Sequence, residues 1–79
     1  MKAVRRLGTT PSFRGDTSGV SGSPDVLELD NGSFAIIGVD ITDELGRMPL
    51  TDAKCAPDER IVMVTRKTLV AAKQDIPDE

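Results

Sequence analysis

The chain has 79 residues, with 10 Lys and Arg, 13 Asp and Glu, no His and a formal net charge of −3. A chain of this length makes one domain, and folding hides only about 60–65% of the surface its unfolded form exposes, so the core is small. With 2 Phe, no Trp or Tyr and a single cysteine, Cys55, the sequence excludes a large aromatic core, an internal disulfide and a Cys/His zinc site as sources of stability. A protein partner or a self-dimer is then the expected source of further buried area.

Residues 1–23 read as a flexible basic arm. Residues 1–15 carry four cations (Lys2, Arg5, Arg6 and Arg14) and no acid, while residues 16–79 hold the other six cations and all thirteen acids, so the two segments carry +4 and −7. The stretch 7–24, LGTTPSFRGDTSGVSGSP, is too rich in Gly, Ser, Thr and Pro to offset the entropy of ordering it. Val4, Leu7 and Phe13 are the side chains able to pin it to the body. The ordered domain is expected over 24–79.

The clearest local signal follows. Asp25–Asp30 and Ser33–Val39 flank Asn31-Gly32, a pair that favours a two-residue type I′ hairpin turn because both central residues need positive φ. That turn predicts Leu29 opposite Phe34 and Leu27 opposite Ile36 on one apolar face. On the other face it puts Val26 opposite Ile37 and Glu28 opposite Ala35.

Residues 40–59 form a connector interrupted by Pro49 and Pro57, in which Asp40 or Thr42 caps a single helical turn that Gly46 stops. Such long connectors in compact domains usually carry function. Arg60–Thr65 has four consecutive apolar residues, the mark of a strand covered on both faces. Thr65 is a good cap for a short helix over Arg66–Gln74, which must end before Ile76-Pro77. The expected fold is a small α+β domain. It has an antiparallel three-stranded sheet, made of the hairpin 25–39 plus strand 60–65, and a short C-terminal helix.

Candidate sites are few. With no His and no partner beside it, Cys55 is a weak nucleophile, and Asp52 and Asp58 oppose any lowering of its pKa by Lys54. Asp40, Asp43 and Glu44 offer oxygens to a divalent cation, but they lack the alternating spacing of a calcium loop, and caps and solvated charge explain them more simply. Neither a metal nor a cofactor is expected, and no small-molecule ligand is indicated. Asn31-Gly32-Ser33 matches a glycosylation acceptor and Arg14-Gly15-Asp16 an adhesion tripeptide, both without secretory context. Met1–Val20 holds no signal-peptide run and no stretch has the roughly 18 apolar residues of a membrane span, so with a free thiol the expected compartment is the cytoplasm. Leu45, Met48 and Leu50 are more apolar than a connector requires: they either close the core or, if exposed, form a partner-binding patch.

The segments VRRLGTTPSFRG at 4–15, PDVLELDNGSFAIIGVDIT at 24–42 and DERIVMV at 58–64 carry a resemblance. The chain resembles short uncharacterised actinobacterial proteins of the streptomycete type. By layout alone it is similar to small actinobacterial domains encoded beside helix-turn-helix regulators, some of which act as antitoxin-like or accessory partners. The resemblance implies a non-catalytic regulatory or interaction protein whose partner is a protein, a helix-turn-helix DNA-binding regulator being one class. The alternatives are a nucleic-acid-binding accessory protein using Lys2, Arg5 and Arg6, and a small enzyme using Cys55 or the Asp40, Asp43 and Glu44 cluster.

Overall fold

A computed structural model describes residues 1–16 and 23–79. It shows a small α+β fold. A three-stranded antiparallel sheet is ordered β1 (Ala3–Arg6), β2 (Asp25–Leu29), β3 (Phe34–Ile37). A second, two-stranded sheet pairs β4 (Val39–Asp40) with β5 (Val62–Met63). Helix α1 (Thr42–Leu45) is a single turn, and α2 (Arg66–Ala72) runs into a 3₁₀ turn over Lys73–Asp75.

The class is the expected one, but the third strand of the main sheet is not. Strand 60–65 shrinks to Val62–Met63 and leaves for the second sheet, with Met63 exposed. Its place is taken by β1, drawn from the segment expected to be an arm. Ala3 opposes Leu29 and Arg6 opposes Leu27, with an irregularity between Ala3 and Arg5. Leu7 follows directly, its amide bonded to the Val26 carbonyl at 2.9 Å and its side chain 2% exposed. The polar composition of 7–24 obscured this, because one buried leucine and one strand suffice to order the segment's start. The rest of the expected arm includes 17–22, which lie outside the described residues.

The hairpin forms at Asn31-Gly32 with a register one residue away from the type I′ expectation. Val26 opposes Ile36, Leu27 opposes Ala35 and Glu28 opposes Phe34. The Gly32 amide bonds to the Leu29 carbonyl at 3.2 Å, and the Leu29 amide to the Ser33 carbonyl at 2.9 Å. Only Gly32 has positive φ, at 88°, and no non-glycine residue does. This is the three-residue solution, a type I turn closed by a left-handed glycine. The Asn31 side chain supports it by accepting from the Ser33 amide at 2.9 Å, instead of adopting positive φ itself. One extra loop residue re-sorts the faces. Leu27 and Leu29 now share a face with Ala35 and Ile37, while Phe34 and Ile36 lie with Val26 and Glu28.

Helix α2 packs on β2 and starts as expected, with the Thr65 hydroxyl accepting from the Thr68 amide at 3.2 Å. Among the described residues the buried hydrophobic cluster is Leu7, Val26 and Ala72, with Pro11 also buried. The radius of gyration is 13.6 Å, against about 11.6 Å for a compact domain of this length. No helix is long and apolar enough to cross a membrane among the described residues.

Candidate interaction surface

Three polar assemblies decide which residues are free to meet a ligand or partner. The first holds the N-terminal segment. Arg14 and Asp16 pair at 2.5 Å, with side chains 6% and 3% exposed. Asp16 also accepts from the hydroxyls of Thr65 at 2.7 Å and Thr68 at 2.8 Å. The Arg14 guanidinium spends its remaining donors on the carbonyls of Thr9 and Pro24. Loop 9–16 is thereby tied to the start of both α2 and β2. The tripeptide Arg14-Gly15-Asp16 is an internal strut, and its charged ends face each other.

Hydrogen bonds to the carboxylate, first from Thr65 and then from Thr68 and Arg14, hold the Asp16 pKa below its ordinary 3.8, although burial opposes the shift. A folded-state pKa below the unfolded one means that the carboxylate's contribution is present above pH 3.8 and is lost as pH falls through the lower folded value. Stability should therefore decline on acidification below pH 3.8, and Asp16→Asn should flatten that decline in thermal melts recorded between neutral and acid pH. An Asp16→Asn protein with the same acid dependence as the parent would contradict this assignment.

The second assembly uses the cations proposed for nucleic-acid binding. The Arg5 Nε lies 2.6 Å from Glu28, and Arg5 also donates to the Asp75 carbonyl at 2.8 Å. Arg6 makes a two-oxygen contact with Asp25 at 2.8 and 3.0 Å, Asp25 being 2% exposed. The Lys2 amide bonds to the Asp30 carboxylate at 3.1 Å. The charges of Arg5 and Arg6 are thus balanced within the fold and serve strand pairing, whereas Lys2 contributes only its backbone amide. Asp75 also serves the fold, its carboxylate accepting from the Gly8 amide at 2.7 Å.

The third assembly winds residues 46–60 around Arg47. The Arg47 guanidinium donates to the carbonyls of Ala56 and Glu59 and lies 3.4 Å from the Cys55 sulfur. Its own carbonyl accepts from the Cys55 amide at 2.7 Å. Glu59 closes the turn from the other side by accepting from the Ala56 amide at 2.9 Å, and Leu50 bridges to Ala53. These bonds hold the loop's shape through its backbone rather than through burial of its apolar side chains. Leu45, Met48 and Leu50 are 50%, 58% and 67% exposed. They do not close the core, and all three side chains stand exposed.

The catalytic candidates do not converge. Cys55 is half-buried beside Arg47 in the loop. Asp40 accepts from the Thr42 amide at 3.0 Å and hydroxyl at 2.7 Å, acting as the local cap of α1. Those bonds, ahead of Arg60 and Arg47, lower its pKa from 3.8. Asp43 and Glu44 sit exposed in the same helical turn. Among the described residues, no three His, Cys, Asp or Glu side chains are grouped to hold a metal ion. A cleft of about 320 Å³ is lined by Asp16, Pro24, Gly38, Val39, Met63 and Thr65 among others. Its one charged lining residue, Asp16, is already bound to Thr65, Thr68 and Arg14.

A further surface escaped the sequence reading. On β3, Phe34, Ile36 and Ile37 are 44%, 48% and 45% exposed, and β3 is an edge of the main sheet. Phe34 and Ile36 share a face in either register, and Ile37 lies on the other. No protein-family model, curated protein or solved structure matches the chain.

Proposed function

We propose that the chain is a non-catalytic interaction protein that works by binding a protein partner in the cytoplasm. A helix-turn-helix regulator is the class of partner suggested by the layout resemblance, and a free Cys55 suits a reducing compartment. The observation that carries the proposal is the imbalance between core and surface. The molecule exposes 5920 Å², whereas a compact monomer of its 8.4 kDa exposes about 4,600 Å². Six residues such as 17–22 expose about 700 Å² at most, so about 600 Å² or more of the surplus belongs to the described residues. Apolar side chains supply much of it: Leu45, Met48 and Leu50 on the loop, Phe34 and Ile36 on the sheet edge, and Leu69 and Val70 on α2. Surface of that kind marks interaction sites.

Replacing Leu45, Met48 and Leu50 together with Ser removes apolar area that the fold does not use. Each change should alter stability by no more than about 0.5 kcal/mol, while recovery of a stoichiometric partner from host cells should drop at least about tenfold. If the parent protein recovers no stoichiometric partner and remains a monomer by light scattering, the proposal fails.

A further inference from the structure

Strand β3 carries a pattern suited to one specific occupant. Residues opposite one another in an antiparallel ladder alternate between hydrogen-bonded and non-hydrogen-bonded pairs. The Leu29 amide bonds to the Ser33 carbonyl, which makes Leu29 and Ser33 a hydrogen-bonded pair. The register then makes Leu27/Ala35 and Asp25/Ile37 hydrogen-bonded pairs, and Val26/Ile36 and Glu28/Phe34 the alternate ones. The backbone groups of Ala35 and Ile37 are thus consumed by β2. Those of Phe34 and Ile36 point away from it, and among the described residues neither has a backbone partner on that side.

Two outward-facing residues spaced two apart are self-complementary about a two-fold axis. With Ala35 placed opposite Ala35 of a second copy, Phe34 of each chain opposes Ile36 of the other as a hydrogen-bonded pair. Four backbone hydrogen bonds result. The same two-fold brings the Phe34 and Ile36 side chains of both copies together on one face, where the sheet already carries Val26. Glu28 on that face is neutralised by Arg5 at 2.6 Å, so the approach of two acidic molecules meets little like-charge repulsion there. The two edges of the sheet are protected differently. Strand β1 carries Arg5, Arg6 and a register irregularity, devices that discourage edge pairing, whereas β3 reads FAII with no charge and no Pro.

We infer that two copies of this chain pair through β3, antiparallel and centred on Ala35, to make one continuous six-stranded sheet. The inference rests on the interaction reading above and names its partner as a second copy. The contact is confined to one four-residue strand per chain, so the dimer is a weak one that forms with rising concentration.

Sedimentation equilibrium of the full chain over a concentration series tests this, together with two variants. The parent should approach twice the 8.4 kDa of one chain. Ile36→Lys places a charge against its own copy and should weaken association at least about tenfold while far-ultraviolet circular dichroism is retained. In a Cys55→Ser background, Ala35→Cys puts two thiols across the axis with Cβ atoms about 4.5 Å apart, close to disulfide geometry. Mild oxidation should link them in high yield, and this variant decides the matter if Ile36→Lys fails to fold. A single-chain mass at every concentration overturns the inference, as does a dimer that survives Ile36→Lys while Ala35→Cys stays unlinked. In the second case the chain still binds a protein, so the interaction reading stands although its proposed geometry falls. A monomer that instead captures a different protein through β3 has the same consequence.

Discussion

Leu7→Ala is expected to destabilise the protein by about 2–5 kcal/mol, the range for truncating a buried leucine. A domain of 79 residues has about 4–12 kcal/mol of stability in total, so this one change removes a large share of it. The side chain is 2% exposed and stands with Val26 and Ala72 as the buried hydrophobic cluster among the described residues. Chemical denaturation followed by circular dichroism measures the cost, with the midpoint falling and the slope unchanged. A shift of less than about 0.5 kcal/mol, the size of an ordinary surface change, would return the N-terminal segment to the status of a dispensable arm.

Gly8→Ala is expected to be comparably damaging for a different reason. Gly8 has φ of +85°, and a Cβ there would lie 2.8 Å from the backbone carbon and oxygen of Ala71 and 2.9 Å from the Ala72 nitrogen. The left-handed conformation alone costs an alanine about 1–2 kcal/mol. The clash is with helix backbone, which has no rotamer to change, so α2 must move off β2 or the bond from the Gly8 amide to Asp75 must break. A melting temperature lowered by several degrees, with loss of the slow-exchanging amides of α2, is the expected result. Because Leu7 and Gly8 act on the same packing of the N-terminal segment against α2, the double substitution should cost less than the sum of the two.

Much of the local structure was legible from short-range chemistry. Thr65 caps α2, Gly46 ends α1 at a φ of 81°, and Asn31-Gly32 turns the hairpin. Each of these rests on residues a few positions apart. The failures share the opposite property. Asn-Gly is compatible with both a two-residue and a three-residue turn, and the choice between them moved every cross-strand pair by one. The role of Leu7 depends on Ala72, and the Arg14–Asp16 strut depends on Thr65 and Thr68, all about fifty or more residues away. Local composition carries no trace of such partners, so the segment read as unstructured. The exposed loop residues Leu45, Met48 and Leu50 stood out as too apolar for a connector, but their orientation depended on Arg47 satisfying the loop's carbonyls. The sheet edge at Phe34 and Ile36 exists because strand 60–65 leaves the main sheet and β1 pairs on the far side of β2, a choice that local composition does not carry.

These observations share one physical theme. The fold engages Arg5, Arg6, Arg14 and Arg47 internally and leaves many apolar side chains outside. Under the proposed function that surface is the one that meets protein, with β3 as its best-defined element. Amide hydrogen exchange at Phe34 and Ile36, followed across a dilution series, tests this most directly. The account predicts that both amides exchange slowly in concentrated solution and fast when dilute, while Ala35 and Ile37 stay protected by β2 throughout. Fast exchange at Phe34 and Ile36 at every concentration would contradict it.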